Sequence, residues 1–131
     1  MLTSEQMAHF ETFGFVILRS VLTKDELKTI QAEFDHRATV ASSYEPFDGT
    51  KRHYFNMMGD DTPFFVSLME DPRFAETAEP MYGDVLGRGS DGNRYVTNTY
   101  WHYDPCCPEA YGVKFAIYLQ PMPGVSMNLA P

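Results

Sequence analysis

Trp101-His102-Tyr103-Asp104 places an imidazole and a carboxylate two residues apart, inside a segment from Arg94 to Asp104 that is typical of a β-strand. Successive side chains of a strand point to opposite faces, so His102 and Asp104 share one face and can aim at a single point. This pair supplies two of the three ligands of the 2-His-1-carboxylate triad, which holds non-haem Fe(II) and leaves positions open for a co-substrate and O2. We therefore predict that His102 and Asp104 are metal ligands.

The His-x-Asp spacing alone is a weak signal, because it occurs often by chance. The alternative is a histidine at a strand edge beside a carboxylate, with a small electrostatic effect. No histidine follows Asp104 in the sequence, so the third ligand of the triad has no candidate downstream. Trp101 and Tyr103 are expected to face the opposite side of the strand and to pack. Cys106 and Cys107 are soft donors that favour zinc over an open iron site, so we do not expect them to bind the iron.

Other polar residues are weaker candidates. The remaining histidines are more often surface or capping residues than ligands, and of these only His53 is retained as a candidate neighbour of the active site. Two basic side chains could pair with the carboxylate of a bound acid, although such a residue in a strand more often points into solvent. The three histidines and two cations are His9, His36, His53, Arg94 and Lys114.

Composition limits the partners and the compartment. The chain has 18 acidic and 10 basic residues, a formal charge of −8 and no compensating basic run, so nucleic acid is not an expected partner. The N-terminus has no secretory signal pattern, and no apolar run approaches the length of a transmembrane helix, so a membrane is not expected either. The only cysteines are adjacent and form no disulfide framework, which favours the cytoplasm.

The first forty residues predict two helices that begin in the same way. Leu2-Thr3-Ser4-Glu5-Gln6-Met7 and Leu22-Thr23-Lys24-Asp25-Glu26-Leu27 each place a threonine three residues before Gln or Glu, which is the pattern of a capping box. The first helix should end at Gly14, and the second should present Leu27, Ile30 and Phe34 to a sheet. The apolar run over residues 15–18 is expected to be a buried strand.

The rest of the chain is expected to be loop over residues 41–61, with at most one short strand. Two short helices should follow over 63–70 and 72–82, because Pro63 and Pro72 suit first-turn positions and Asp71 can cap the second. Turns should occupy residues 83–92. Strands are expected over 94–104 and 113–119, since alternate residues of the latter are apolar. Helices followed by strands predict an α+β arrangement in a single domain, 1–131.

The sequence resembles the phytanoyl-CoA dioxygenase family. The resemblance covers about residues 2–122 and is carried by four stretches. An N-terminal signature joined to a downstream His-x-Asp is more specific than either piece alone. The four stretches are Leu2-Thr3-Ser4-Glu5-Gln6 through Phe13-Gly14-Phe15-Val16-Ile17-Leu18, Val21-Leu22-Thr23 with its helix, Trp101-His102-Tyr103-Asp104, and Val113-Lys114-Phe115-Ala116-Ile117-Tyr118-Leu119-Gln120-Pro121-Met122.

The resemblance implies an oxygenase that uses Fe(II) and 2-oxoglutarate as co-substrate, with His102 and Asp104 at the family's first two iron ligands. It also implies a fold in which N-terminal helices pack on a double-stranded β-helix, the cupin-like jelly roll. Family members continue beyond the position of Met122 through strands that carry a second histidine and an arginine for 2-oxoglutarate. We therefore expect an incomplete jelly-roll sheet and a single partial domain that corresponds to the N-terminal half of such an enzyme.

Two functions follow as hypotheses. The first is a dioxygenase that hydroxylates a small-molecule substrate, here truncated and catalytically incomplete. The second is a non-catalytic remnant or interaction module without useful iron binding. In either case, an unpaired sheet edge at Val113–Leu119 is expected to allow self-association.

Overall fold

Two capped helices form the first part of the fold in the computed structural model, which describes residues 2–83, 89–96 and 112–120. Helix α1 spans Ser4–Phe13 and helix α2 spans Lys24–Ser42. Both predicted capping boxes are confirmed: each threonine hydroxyl accepts a hydrogen bond from the third helical residue, whose side chain accepts one from the threonine N–H. Helix α1 ends as predicted at Gly14, whose φ of 74° is left-handed.

The predicted buried strand over residues 15–18 is wrong. The segment carries no strand assignment, and Ile17 is 62% exposed. An apolar run becomes a strand only where another strand pairs with its backbone, and none of the described residues does so here. The run therefore connects the two helices as irregular chain.

A small antiparallel sheet follows α2. Strand β1 spans His53–Asn56, in agreement with the prediction of at most one short strand over residues 41–61, and β2 spans Asp91–Arg94. His53 lies opposite Arg94 and Phe55 opposite Gly92. Strand β2 thus occupies the end of the region predicted as turns. Of the predicted strand over 94–104, Arg94 is the last residue of β2, whereas Tyr95 and Val96 lie outside any strand. Its residues from 97 onward lie outside the described residues.

Two further helices connect β1 to β2, and both predicted ranges are confirmed. Helix α3 spans Pro63–Ser67 and continues as a 3-10 turn over Leu68–Glu70. Helix α4 spans Pro72–Tyr82, and the Asp71 side chain caps it by accepting a hydrogen bond from the N–H of Arg73.

The core lies where α2, β1 and α3 meet. The predicted stripe of α2 contributes Ile30, which is buried, and Phe34, which packs beside it. Segment 112–120 adds Ile117 and Leu119 from the other end of the described chain. The buried apolar residues of this cluster are Ile30, Ala38, Phe55, Met57, Phe65 and Leu68.

The prediction of helices packed on an incomplete jelly-roll sheet is wrong. Only two strands of four residues each occur among the described residues, and they form one antiparallel pair. Residues 113–119, which were expected to be a strand, have its alternating burial but belong to no sheet. Apolar residues at every second position specify which side chains face the core. A sheet also requires a second strand whose backbone forms hydrogen bonds with the first.

No helix in the described part of the chain is both long enough and apolar enough to cross a membrane.

Candidate functional site

The predicted metal ligands His102 and Asp104 lie outside the described residues. The same holds for their neighbours Trp101 and Tyr103, and for the cysteine pair that follows them. Within residues 2–83, 89–96 and 112–120, no three histidine, cysteine, aspartate or glutamate side chains form a group that could hold a metal ion. The assignment of His102 and Asp104 as ligands therefore stays a prediction.

Two of the other histidines lie on the surface, as expected. His9 is exposed on α1, where its ring contacts the rings of Phe13 and Phe15. His36 is exposed on α2, and its Nε2 lies 3.1 Å from an Asp61 carboxylate oxygen. Neither residue belongs to a group of three metal-binding side chains among the described residues.

His53 is different, because it is buried. It occupies the first position of β1 and is only 4% exposed. Its ring stacks on Phe47 with centroids 5.5 Å apart and makes a tilted contact of 5.3 Å with Phe55. Its Nδ1 atom is buried and has no hydrogen-bond partner among the described residues. Buried polar atoms are nearly always paired in folded proteins, so this nitrogen is an exception among the described residues.

Arg52 lies on the face of the two-stranded sheet opposite to His53. Its Nε donates a hydrogen bond to Oδ1 of Asn93 at 2.6 Å, and the amide nitrogen of Asn93 donates in turn to Asp91. The Arg52 guanidinium lies 4.9 Å from the ring centroid of Tyr95 and 5.6 Å from that of Tyr54. No carboxylate forms an ion pair with Arg52 in the described part of the chain. The guanidinium is thus positioned and has no anionic partner there.

A cavity of about 140 Å³ is lined by the loop that precedes β1 and by the first residue of β1, and we call it the loop cavity. Two carboxylates line this cavity. The one of Asp48 accepts hydrogen bonds from the backbone N–H and the hydroxyl of Thr50 at 2.8 and 2.7 Å. These hydrogen bonds lower the pKa of the Asp48 carboxyl, so it carries its charge at neutral pH. The cavity is lined by Glu45, Pro46, Phe47, Asp48, Lys51, Arg52 and His53.

The two cations that we considered as partners of a bound acid lie in different places. Arg94 is half-buried, and its guanidinium lies 5.3 Å from the ring centroid of Phe47. Because Phe47 also stacks on His53, Arg94 contacts an aromatic residue that lines the loop cavity. Lys114 is exposed in the segment that follows residue 111. The structure therefore brings Arg94 to the vicinity of His53.

Sequence reasoning missed the positioned Arg52. A signal was present, because Arg52 and Tyr54 alternate with buried His53 and Phe55, as the two faces of a strand do. Asp91 and Asn93 alternate with Gly92 in the same manner. What could not be derived locally is the pairing of these two stretches, which are separated by two helices.

Comparison with known proteins gave no match to any family model, curated protein or solved structure.

Proposed function

We propose that this chain is a partial oxygenase of the Fe(II)- and 2-oxoglutarate-dependent type, catalytically incomplete over residues 1–131, with His102 and Asp104 as metal ligands and a small molecule as substrate. The observation that carries the proposal is the His-x-Asp pair joined to the N-terminal signature that resembles the phytanoyl-CoA dioxygenase family. Further support comes from the helices of that signature, whose two capping boxes form as the sequence pattern requires.

The donor chemistry of the pair suits the metal. A neutral imidazole offers a nitrogen lone pair, and a carboxylate offers an anionic oxygen that offsets part of the charge of Fe(II). When bound, the iron would couple O2 to the oxidative decarboxylation of 2-oxoglutarate and the hydroxylation of a substrate. His102 and Asp104 would hold the metal on one side and leave its other positions to small molecules. Two protein ligands bind less tightly than three, so we expect residues 1–131 alone to bind the metal weakly.

A metal titration tests the ligand assignment. Mn(II) can replace Fe(II) under anaerobic conditions, and the loss of the free Mn(II) signal in electron paramagnetic resonance measures binding. Mutation of a residue that only hydrogen-bonds to a metal ligand typically lowers metal affinity 10–100-fold. Loss of a ligand itself should cost at least as much, so His102→Ala and Asp104→Ala should each weaken metal binding by at least about tenfold. His36→Ala is the matched control, since His36 is exposed and lies beside a carboxylate as well. Binding that is equal in the wild type and in both ligand variants would exclude these two residues as the site.

An activity measurement tests the reaction type. Succinate is the product of 2-oxoglutarate decarboxylation, and its formation is followed with Fe(II), ascorbate and O2. We expect residues 1–131 to form succinate no faster than free Fe(II) does, because the triad and the cation for 2-oxoglutarate are incomplete in this sequence. A longer chain that supplies a histidine and an arginine should form succinate in a manner that requires His102 and Asp104. Succinate formation in the longer chain that is unchanged when His102 and Asp104 are replaced would overturn the proposal.

Two further proposals concern the cellular compartment of the protein and its self-association. The absence of a disulfide framework in the sequence supports a reducing compartment, the cytoplasm. Self-association through Val113–Leu119 rests on the sequence alone, in which alternate residues of this segment are apolar as in an edge strand. Sedimentation across a range of protein concentrations tests the latter, and a monomer at every concentration would exclude it.

A further inference from the structure

We propose that the exposed face of the two-stranded sheet binds an acidic peptide segment of a partner protein, with the Arg52 guanidinium pairing with a side-chain carboxylate of that segment. This proposal goes beyond the proposed oxygenase function and does not depend on it. It would stand if the predicted metal ligands bound no metal. We call this surface the outer face and define it by the side chains of Arg52, Tyr54, Asn93 and Tyr95.

Strand pairing brings these four side chains together. Arg52 and Tyr54 are exposed and alternate with buried His53, so both lie on the face of the sheet that is turned away from the core. Tyr54 lies opposite Asn93 in the register of the two strands. Tyr95 follows two residues after Asn93, so the same register places it across from Arg52. The outer face is therefore one continuous surface.

Arg52 is held in place on this surface without an anionic partner. The Asp91 carboxylate accepts a hydrogen bond from the Asn93 amide nitrogen, and the Asn93 amide oxygen accepts one from Nε of Arg52 at 2.6 Å. In the part of the chain that the structure describes, the two terminal nitrogens of this guanidinium have no acceptor. Their fork can thus donate two parallel hydrogen bonds to one carboxylate. Because the guanidinium is already oriented, binding costs less conformational entropy.

Two exposed tyrosine rings flank the guanidinium. Tyr54 is 60% exposed and Tyr95 is 54% exposed, and their ring centroids lie 5.6 and 4.9 Å from the guanidinium carbon. A single exposed ion pair contributes little affinity, so a ligand must gain the rest from apolar contact. Tyrosine rings provide such contact area at a low entropic cost, and tyrosine and arginine are enriched among the residues that dominate binding energy at interfaces. The partner should therefore carry an apolar side chain beside its carboxylate.

The charges of the protein favour a peptide carboxylate over other anions. The chain has a formal charge of −8, and Asp91 lies on the same side of the sheet, so a nucleic acid would be repelled. One guanidinium fork matches one carboxylate. A second copy of this chain also offers carboxylates, but two chains of the same large negative charge repel each other. A different protein is therefore the expected partner.

The test uses a blocked pentapeptide of sequence Gly-Leu-Glu-Leu-Gly and the same peptide with glutamine in place of glutamate. Each is titrated into the full chain, and nuclear magnetic resonance follows the Arg52 Nε–H and the rings of Tyr54 and Tyr95. We expect the glutamate peptide to give saturable shifts at all three groups and to bind at least about fivefold more tightly than the glutamine peptide. Acetate is the third arm and should bind at least about fivefold more weakly than the glutamate peptide, because it does not cover the tyrosine rings.

Variants assign the binding to the named residues. Arg52→Gln should weaken the glutamate peptide about fivefold and change the glutamine peptide by less than about twofold, because only the former carries the paired charge. Arg52→Lys keeps the charge and loses the fork, so it should weaken the glutamate peptide by about twofold. Tyr95→Ala should weaken both peptides about threefold. Arg19→Gln and Tyr44→Ala are the matched controls at other exposed positions and should change neither affinity.

The proposal is overturned by any of four results. These are an absence of saturation with the glutamate peptide, equal affinities of the two peptides, acetate binding as tight as that of the glutamate peptide, and wild-type affinity in Arg52→Gln. Shifts at the same groups that appear on raising the protein concentration without peptide would assign the outer face to a second copy and would also overturn it. If Arg52→Gln does not fold, wild-type affinity for the glutamate peptide in both Arg52→Lys and Tyr95→Ala would exclude this face as the site.

Discussion

Arg73 at the start of α4 lies 2.7 Å from the carboxylate of Glu26 at the start of α2, through its Nη2 atom. The same guanidinium contacts Asp71 at 2.6 Å and donates from Nη1 to the backbone oxygen of Val21 at 2.9 Å. Glu26 also completes the capping box by accepting a hydrogen bond from the N–H of Thr23 at 2.7 Å. A residue that the sequence pattern explains as a helix cap therefore also joins two helices.

We predict that the stability contributed by Glu26 depends on pH. Hydrogen bonds from the Arg73 side chain and then from the Thr23 backbone lower the pKa of Glu26 from 4.5 to about 2. A lowered pKa in the folded state means that the contribution is complete above the unfolded value of 4.5 and is lost as the pH falls towards 2. The wild type should thus be more stable than Glu26→Gln at neutral pH, and the difference should decrease below pH 4.5 and vanish near pH 2.

Denaturant unfolding of the two proteins across this pH range measures the difference. Glutamine keeps an oxygen that can accept the Thr23 hydrogen bond, as Gln6 does in α1, so the comparison isolates the charge. Glu79→Gln on the exposed face of α4 is the control and should change the free energy of unfolding by less than about 0.5 kcal/mol at neutral pH. A difference between wild type and Glu26→Gln that stays constant from pH 7 to pH 2 would contradict the prediction.

A second prediction concerns the N-terminus of α3. Thr62 does not cap this helix with its side chain; its hydroxyl donates instead to the backbone oxygen of Met57 at 2.6 Å. The carboxylate of Glu33 on α2 takes the capping role and accepts hydrogen bonds from the N–H groups of Phe64 and Phe65 at 2.9 and 2.8 Å. Glu33→Ala should lower the free energy of unfolding by about 1–2 kcal/mol.

Glu33→Gln is the matched variant for this prediction. It keeps one acceptor oxygen and should cost less than the alanine variant, since only one of the two amides loses its partner. Thermal or denaturant unfolding monitored by circular dichroism measures both. Equal stability of Glu33→Ala and wild type would show that water caps α3 as well as Glu33 does.

The helices could be predicted from sequence because their signals are local. Thr3 and Thr23 each lie within one turn of the side chain that completes the cap. Pro63 and Pro72 favour the start of a helix at the position where each of them lies. Glu33 gave no such signal, because its partners are about thirty residues away and are joined to it only by the packing of α2 against α3.

The sheet could not be predicted because strands depend on distant partners. The run at residues 15–18 and the segment at 113–119 have the apolar residues of strands but lie in no sheet. Strand β2, by contrast, has the sequence Asp91-Gly92-Asn93-Arg94, which contains no strong strand former. It pairs with β1 because Gly92 leaves space for Phe55, a relationship between positions that no local pattern reveals.

A third prediction follows from Gly92. A Cβ at this position would lie 2.8 Å from Cζ of Phe55 and 3.0 Å from Cε2 of Phe34, which is closer than carbon atoms approach without strain. Gly92→Ala should therefore lower the free energy of unfolding by about 1–3 kcal/mol. Gly89→Ala is the control, since nothing lies within 4 Å of a Cβ there. Adding Phe55→Leu to Gly92→Ala should recover part of the loss, and a double variant less stable than either single one would contradict the steric explanation.

The last prediction concerns segment 112–120, whose side chains alternate between half-buried and exposed without forming a strand in the described structure. Ile117 packs against the core cluster, Phe115 meets Phe74 edge-on with ring centroids 5.0 Å apart, and Tyr118 is 51% exposed. Ile117→Ala should lower the free energy of unfolding by roughly half of the 2–5 kcal/mol typical of a fully buried residue, or about 1–2.5 kcal/mol. Tyr118→Ala removes a larger side chain from the adjacent position and should cost less than about 0.5 kcal/mol. Denaturant unfolding of both variants gives the comparison. A loss from Tyr118→Ala that equals or exceeds that from Ile117→Ala would show that this segment does not present its odd-numbered residues to the core.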